Sequence, residues 1–350
     1  MRFEKKVISA LPKCYALAEI SVNGAPHILA AAEKQDPCYL FDLEGRKKAT
    51  VWEKPGGTMS IVPLPWTDGS FLATHRFYSP NDASEAKIVL VAAQSADQWI
   101  VKTLVDLPFV HRFDILERDG VRYLIACTIR SAPEPKHEWK TPGRIFVAEL
   151  PADLERFDEE KQIPLQVLRD DLFKNHGYYS VCIDGINSCL IASEQGVLRV
   201  TPPAKGGRWN EEQLLDEPSS DAALLDLDGD GERELVVFHP FHGDMLKIYK
   251  QQAGKRKYMP VYELEEPAPF LHALYAGPLC GKQAVVFGHR EGKRDLFALF
   301  YDPLERRYKK ELIDSGCGSA NVICHHGDVD YIFSANREID EVAMYAAYAN

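Results

Sequence analysis

The chain alternates short apolar runs with polar turns along its whole length. The apolar runs are rich in Val, Ile and aromatic residues, and many of them lie beside an Asn-Gly or Asp-Gly pair. Runs of this kind predict β-strands, and an Asn-Gly or Asp-Gly pair between two of them predicts a tight hairpin. One example is the strand RYLIACT, which follows the turn at Asp119 and Gly120. We therefore expect an all-β protein.

The strand–turn–strand pattern recurs, and each recurrence predicts one four-stranded unit. Seven copies in 350 residues allow about 50 residues each, which is the size of a propeller blade. The sequence therefore predicts one domain, 1–350, that is a seven-bladed β-propeller. The copies begin at LPKCYALAEISVNG (11–24), KPGGTMSIVPLPWTDG (54–69), LPFVHRFDILERDG (107–120), LFKNHGYYSVCIDG (172–185), EPSSDAALLDLDGDG (217–231), APFLHALYAGPLCG (268–281) and SGCGSANVICHHG (315–327).

The two ends of the chain predict how the ring closes. The seventh copy stops after its third strand, and the N-terminal RFEKKVIS (2–9) resembles RYKKELIDS (307–315), the fourth strand of the sixth copy. We expect residues 2–9 to complete the last blade, which would remove the exposed sheet edge of an open ring. Two unrelated β-sandwiches are the alternative, but they leave the matching ends unexplained.

Composition narrows the class of protein and its partners. There are 41 Lys and Arg against 52 Asp and Glu, a net charge of −11, which argues against nucleic acid or an anionic membrane as partner. No apolar run approaches a membrane span, and the N-terminus has no apolar signal region. The eight Cys include no CxxC pair, so we expect reduced core thiols in a cytoplasmic protein. Oligomeric state is not predicted.

Polar residues recur at one register of the predicted blades, at the start of each innermost strand. Second strands should end on the same face of the ring, and one long loop there carries His137 and Trp139. The register positions are Cys14 or Tyr15, Thr58, His111, His176, Asp221, His272 and Asn321. The second-strand ends add His75, Arg76, Arg130, Glu194, His239, His242, His289, Arg290, Glu291, Asn336, Arg337 and Glu338.

Clustered imidazoles at a channel mouth either bond to neighbouring blades and fill the mouth, or bind a divalent metal and exchange protons. We expect a transition metal such as Zn or Mn, held by a subset of His111, His176, His239, His272 and His289. The metal ligands assigned from the sequence are His239, His272 and His289. The catalytic residues assigned are His111, His176, Tyr178, Arg130 and Arg290. The substrate contacts assigned are His75, Arg76, His137, Trp139, His242, Asn321 and Arg337.

Two of these assignments have alternatives. Tyr178 lies two residues after His176, so strand alternation turns it toward the channel, where it would act as acid or base or simply fill space. The arginines would orient an acidic sugar through their planar fork, or pair with Glu291 and Glu338 beside them.

A second motif, DLDGDGERE (226–234), predicts a cation site at a different place in the fold. Asp226, Asp228, Asp230 and Glu234 have the 1-3-5-9 spacing of a loop for a hard cation, although the position-12 glutamate of an EF-hand is missing. The motif lies between a first and a second strand, hence on the face opposite the histidines. An acidic turn without metal is the alternative.

This loop resembles the calcium loop of FG-GAP or VCBS-type propeller repeats, which implies a structural calcium ion. With seven blades and a His/Arg-rich mouth, the chain also resembles the propeller carbohydrate lyases and dehydratases, a group that includes aldos-2-ulose dehydratases, ulvan lyases and oligogalacturonate lyases. In such enzymes a metal or cationic group acidifies a sugar C–H, a His or Tyr takes the proton, and a β-oxygen leaves.

The resemblance implies a metal-assisted carbon–oxygen lyase acting on a keto-sugar, a uronate or a small oligosaccharide. A metal-dependent sugar lactonase or other hydrolase would use the same cation to activate water. A non-catalytic propeller that binds a protein partner is the third possibility, although such a surface is usually rich in aromatic and Arg anchors rather than imidazoles.

Overall fold

The structure is a computed structural model that describes residues 1–95, 97–252 and 257–349. The described residues form 28 β-strands in seven four-stranded antiparallel sheets arranged as a ring, so the predicted seven-bladed propeller is confirmed. One short 3₁₀ turn, Arg337–Ile339, is present, and no helix in the described part of the chain is long and apolar enough to cross a membrane.

Each blade runs from an innermost strand at the channel to an outermost strand at the rim. Strand β1 (Arg2–Ala10) comes first in the chain. Blade 1 has β2 (Cys14–Val22), β3 (Ala25–Ala32), β4 (Cys38–Asp42) and β5 (Lys47–Trp52). Blade 2 has β6 (Ile61–Pro63), β7 (Phe71–His75), β8 (Lys87–Ser95) and β9 (Gln98–Asp106). Blade 3 has β10 (Val110–Arg118), β11 (Val121–Thr128), β12 (Gly143–Glu149) and β13 (Gln166–Leu172).

The remaining four blades follow the same order. Blade 4 has β14 (Gly177–Ile183), β15 (Ile186–Ser193), β16 (Gly196–Thr201) and β17 (Asn210–Leu215). Blade 5 has β18 (Asp221–Leu225), β19 (Glu234–His239), β20 (Met245–Gln251) and β21 (Tyr258–Glu263). Blade 6 has β22 (Leu271–Leu279), β23 (Lys282–His289), β24 (Leu296–Asp302) and β25 (Arg307–Asp314). Blade 7 has β26 (Asn321–His325), β27 (Asp330–Asn336), β28 (Glu341–Tyr348) and β1.

Second strands are apolar on both faces because neighbouring blades pack against both sides of them. In β11 the last six residues are all buried, and in β19 all six are. A strand buried on both faces reads as a continuous apolar run rather than as an alternation. This explains why a second strand such as RYLIACT is an almost continuous apolar run in the sequence.

The hairpins between first and second strands have the geometry that their sequences predict. Asn23 and Gly24 both have positive φ, 52° and 70°, and Asp119 and Gly120 have 52° and 74°. Positive φ at both central residues defines the turn whose twist matches that of the flanking strands. Blade 6 uses Cys280 before its Gly, an unusual residue at this position (φ 50°).

The ring closes through β1, as the sequence predicts. This strand pairs antiparallel with β28, from Arg2 opposite Tyr348 to Ala10 opposite Glu341. The Lys5 ammonium lies 2.8 Å from a carboxylate oxygen of Asp314 in blade 6 and 2.8 Å from one of Glu341. Closure therefore combines a backbone ladder along the whole strand, interrupted by one bulge between Val7 and Ser9, with a charge contact to the neighbouring blade.

Removing residues 1–10 should destabilise the ring, because it exposes the edge of β28 and leaves blade 7 with three strands. We expect the melting temperature to fall by at least about 10 °C, since each kcal/mol corresponds to about 2–4 °C in a chain of 150–250 residues. The measurement is thermal unfolding followed by circular dichroism. The control is Val7→Ser, which changes an exposed side chain of β1 and keeps the ladder. Equal melting temperatures for the truncated and full chains would contradict the role of closure.

Candidate active site at the channel mouth

The site residues at the channel mouth are positioned by a repeated backbone feature at the entry to the inner strands. In four blades, a residue with left-handed φ between 49° and 65° lies two positions before the site residue. In three of the four, the site residue is also the extra residue of a β-bulge, which changes the direction of a side chain. The pairs are Lys13 and Tyr15, Phe109 and His111, Lys174 and His176, and Phe270 and His272.

Four imidazoles meet at the mouth, with His176 at their centre. The ring centroid of His176 lies 4.7 Å from that of His111, 5.0 Å from His242 and 5.1 Å from His272. Three of the four, all except His242, belong to the register predicted from the sequence. We call these four residues the histidine cluster.

Three members of the cluster are arranged as potential metal ligands. One ring nitrogen each from His176, His242 and His272 lie within 4.8 Å of one another. Three imidazoles with a position left for water or substrate are a usual ligand set for a catalytic zinc ion, and imidazole also suits other first-row transition metals.

Hydrogen bonds through Nδ1 orient two of these rings. His176 Nδ1 lies 3.0 Å from Asp221 Oδ2, and His272 Nδ1 donates to the carbonyl oxygen of Ala320 at 2.7 Å. Metal-binding histidines usually use their second nitrogen in this way. His176 Nε2 is buried and has no hydrogen-bond partner among the described residues, whereas Nε2 of His272 faces the Tyr15 hydroxyl at 3.1 Å, which would have to turn away to admit a metal.

The imidazoles of the cluster are in the form that a metal ion binds. Burial lowers the pKa of His111, His242 and His272 well below the ordinary value near 6.5. Each of these rings is therefore neutral at pH 7 and has one nitrogen with an electron pair.

Two residues beside the cluster were not assigned from the sequence. The Tyr15 hydroxyl lies 3.1 Å from His272 Nε2, and Arg112 Nη2 donates to the same hydroxyl at 3.4 Å. In a regular strand, the side chains of His111 and Arg112 would point to opposite faces. The bulge at His111 interrupts this alternation, so both side chains reach the channel. The sequence left Cys14 and Tyr15 open for blade 1, and the bulge turns Tyr15 inward.

Below the mouth, the channel holds a cavity of about 350 Å³. Tyr178 lines it, as strand alternation predicts, and donates its hydroxyl to Asp114 Oδ2 at 3.1 Å. Burial raises the pKa of Tyr178 well above its ordinary value, so this phenol keeps its proton and is a donor rather than a base. Asn321, assigned as a substrate contact, lines the same cavity.

Two assigned ligands lie outside the histidine cluster. His239 uses Nδ1 toward the Pro218 carbonyl oxygen at 2.8 Å and Nε2 toward the Tyr249 hydroxyl at 3.0 Å. His289 bonds through Nδ1 to the Glu291 carbonyl oxygen and accepts at Nε2 from the Asp295 amide. Both residues end second strands, one strand away from the channel, and both nitrogens of each ring have partners in their own blades. The third nitrogen of the potential ligand set comes instead from His242.

The three arginines expected to attract an acidic substrate are paired locally. Arg130 is fully buried, with Nη1 at 3.8 Å from Glu134 and its guanidinium 4.3 Å from the Trp139 ring centroid. Arg290 Nη2 lies 2.7 Å from Glu338, and Arg337 binds Glu338 as well as Glu33. Their positive charges are compensated. Of the two partners weighed above, Glu338 takes part, and the other pairs are made with Glu134 and Glu33.

Two long loops reach the surroundings of the cluster, and one of them carries the assigned residue Trp139. Phe77 contacts His111 at 5.1 Å between ring centroids, and Trp139 contacts Phe241, the neighbour of His242, at 5.0 Å. The other assigned side chains are His75, buried against Trp52; Arg76, paired with Glu85; and His137, exposed on its loop.

The acidic loop already holds a positive charge from the chain itself. Lys250 Nζ lies 2.6 Å from Asp228 and 3.0 Å from Glu234, and it also bonds to Asp230. Asp226 accepts hydrogen bonds from the amides of Gly229 and Gly231 and closes the turn. Asp226, Asp228 and Glu234 each have a carboxylate oxygen within 4.8 Å of the others, as a cation site requires, but the ammonium lies among three of the four expected ligands. A calcium ion would therefore have to displace Lys250, and calcium at this loop stays a prediction.

Comparison with known proteins supports the fold. No family model and no curated protein matches the chain. A solved structure titled streptogramin B lyase is similar over 98% of this chain and 97% of that chain, with 12% identity and a TM-score of 0.57. The β-propeller domain of Cps50 (Swd1) from Myceliophteria thermophila matches over 98% of this chain and all of that one, with 9% identity and a TM-score of 0.58. The Dos1 propeller covers 92% of this chain and 76% of its own, with 8% identity and a TM-score of 0.55. At these identities the likeness establishes the propeller fold alone.

Burial of His75 should make stability depend on pH. Burial lowers the pKa of His75 to about 3, so its contribution is complete above the unfolded pKa near 6.5 and is lost as pH falls from there toward 3. Between pH 7 and pH 5, the free energy of unfolding of the wild type should fall by about 2 kcal/mol more than that of His75→Phe. Urea unfolding at both pH values measures this difference. The exposed His137→Phe should behave like the wild type, and equal pH dependence in wild type and His75→Phe would contradict the assignment.

Lys250→Met should destabilise the acidic loop, because Asp228, Asp230 and Glu234 lose their shared positive charge. We expect a loss of about 1–3 kcal/mol in chelator-treated protein. Calcium should then raise the melting temperature of this variant more than that of the wild type, since the carboxylates become free to bind it. The control is Lys247→Met, a change in the same strand as Lys250 that removes a surface ion pair with Glu263. An unchanged melting temperature, or an equal calcium effect in both proteins, would argue against the role of Lys250.

Proposed function

We propose that the channel mouth binds a divalent transition-metal ion through His176, His242 and His272, and that the protein is a metal-assisted carbon–oxygen lyase acting on a carbohydrate. The observation that carries this proposal is the buried Nε2 of His176. Leaving a polar nitrogen without a partner inside a protein is costly, and such a group calls for a ligand. The other two nitrogens of the set lie within 4.8 Å of the ligand atom of His176.

A cation at this place would act as a Lewis acid that stabilises the negative charge developing on a substrate oxygen. His111 would be the proton acceptor. Its Nδ1 donates to the carbonyl oxygen of His176, which leaves the Nε2 electron pair free, and its lowered pKa keeps it neutral at pH 7. The reaction breaks a C–H bond, passes its proton to His111, forms a carbon–carbon double bond and releases the β-oxygen.

The leaving oxygen needs a proton donor, and two phenols are candidates in the channel. Burial raises the pKa of both Tyr15 and Tyr178, so both hydroxyls keep their protons at pH 7. Tyr15 is the better placed, because its hydroxyl lies at the cluster itself, 3.1 Å from His272 Nε2, and would turn from that nitrogen toward the leaving oxygen once a metal is bound. Tyr178 lies deeper in the channel and is already bonded to Asp114. Tyr15 therefore takes the role of acid and Tyr178 a supporting one.

Lyase activity is favoured over the alternatives by one consideration. The paired acid and base, Tyr15 and His111, are the groups that a β-elimination requires. A streptogramin B lyase shares this fold, but so do the Cps50 (Swd1) and Dos1 propellers, so the fold does not choose between the alternatives. A metal-dependent hydrolase would use the same three histidines, so a reaction assay must separate the two activities.

His176→Ala should lose the metal while the ring stays folded. We expect chelator-treated wild type to bind zinc, and the variant to bind it about 100-fold more weakly, because even outer-shell changes cost 10–100-fold at metal sites. Isothermal titration with Zn²⁺ measures this. His137→Ala removes an exposed histidine on the same face and should bind like the wild type. Equal zinc affinity in wild type and His176→Ala would overturn the metal site.

The reaction class is tested with the metal-loaded protein and oligogalacturonate or a keto-sugar as substrate. Elimination produces a conjugated double bond and a rise in ultraviolet absorbance, whereas hydrolysis produces new chain ends without that rise. His111→Gln should abolish the rise and keep the zinc affinity, because His111 is outside the ligand set. Product without the absorbance rise would favour the hydrolase.

A further inference from the structure

The channel contains one guanidinium group whose charge is not paired. Arg112 lines the cavity, and in residues 1–95, 97–252 and 257–349 no carboxylate forms an ion pair with it. It differs in this from Arg130, Arg290 and Arg337, which the sequence assigned to substrate or catalytic roles and which all have Glu partners. A half-buried positive charge without a counter-ion favours a bound anion.

The contacts of Arg112 hold the group in place and leave donors free. Nη1 donates to the carbonyl oxygen of Met59 at 2.6 Å, and Nη2 donates to the Tyr15 hydroxyl at 3.4 Å. A guanidinium has about five N–H donors, so most of them remain for a ligand. Both partners are neutral, so the positive charge is positioned but not compensated.

The two carboxylates that line the same cavity are already engaged. Asp114 accepts from the Tyr178 hydroxyl and the Ile115 amide, and burial raises its pKa above the ordinary value. Asp221 bonds to His176 Nδ1. Neither carboxylate forms an ion pair with Arg112, so the carboxylate of a ligand can take that place.

We propose that Arg112 is the anchor for the carboxylate of a uronate ligand. The carboxylate would lie in the channel and the reacting end would lie at the histidine cluster. This deepens the proposed function and rests on it only for the orientation of the reacting end. A planar carboxylate matches the fork of a guanidinium with two parallel charge-assisted hydrogen bonds, which the hydroxyls of a neutral sugar cannot supply.

The walls of the cavity fit the rest of a sugar acid. Tyr178, Tyr179 and Tyr275 supply aromatic faces, while Ser180 and Asn321 supply groups that bond to hydroxyls. The volume of about 350 Å³ lies at the lower end of the range for small-molecule sites. Tyr15 joins the anchor to the cluster, since its hydroxyl contacts both Arg112 and His272.

The proposal is tested with D-glucuronate and D-glucuronamide, which differ in the charge of one group. Binding is measured by isothermal titration on chelator-treated protein, so that no metal contributes. Wild type should bind glucuronate at least about tenfold more tightly than the amide, the size expected for a charge-assisted hydrogen bond. Arg112→Gln should lose this preference. Arg118→Gln, at the other end of the same strand and bonded to the Pro202 carbonyl oxygen, should keep it.

Arg112→Lys keeps the charge and loses the fork, so it should retain only part of the preference, and it also serves as the test if Arg112→Gln fails to fold. The proposal is overturned if wild type binds neither probe, if it binds both equally, if inorganic phosphate displaces glucuronate at equal concentration, or if both Arg112 variants keep the wild-type preference. Zinc titration of Arg112→Gln separates the two proposals: unchanged zinc affinity with lost glucuronate binding supports the anchor independently. Glucuronate binding by a protein that binds no zinc would remove the metal and leave the anchor standing.

Discussion

Closure of the ring by β1 is the constraint on which the rest of the molecule depends. Seven twisted sheets can surround a channel only if the last sheet meets the first. Here the first strand of the chain, β1, is held in the last blade by its pairing with β28. Once the ring is closed, every innermost strand begins at the same mouth. Residues far apart in sequence, such as Tyr15 and His272, are then brought to 3.1 Å. The histidine cluster is thus a product of closure as much as of any single blade.

Within the closed ring, small irregularities of backbone decide which side chains reach the mouth. The left-handed residues and bulges at the strand entries turn Tyr15, His111 and His272 toward one another. The same bulge brings Arg112 into the channel beside His111. A regular strand would have placed only one of these two side chains there. The chemistry proposed for the mouth therefore relies on departures from ideal strand geometry, as is common at functional sites.

The fold was largely predictable from the sequence and the site only in part. Doubly buried second strands and Asn-Gly or Asp-Gly turns are local signals, and the likeness of 2–9 to 307–315 carried the closure. The register of His111, His176 and His272 followed from the repeat. Bulges leave no clear mark in a single sequence, so Arg112 was missed. His239 and His289 were assigned as ligands although they lie outside the histidine cluster, because strand order alone does not show which ring nitrogens bond to neighbouring groups. Lys250, the partner of the acidic loop, was missed because it comes from the next strand.

The pairing of β1 with β28 also sets the order of events as the chain is made. The first strand is synthesised long before its partner and has no other strand to pair with in the finished blade. Until β28 emerges, a growing chain has an unsatisfied edge at each end, and long-range pairing of this kind is slow and exposed to aggregation. Six blades are built from four consecutive strands and can form locally, but the histidine cluster needs side chains from blades 3 to 6 and a neighbour from blade 1. The last part of the chain to be made therefore decides whether the first becomes part of a working molecule.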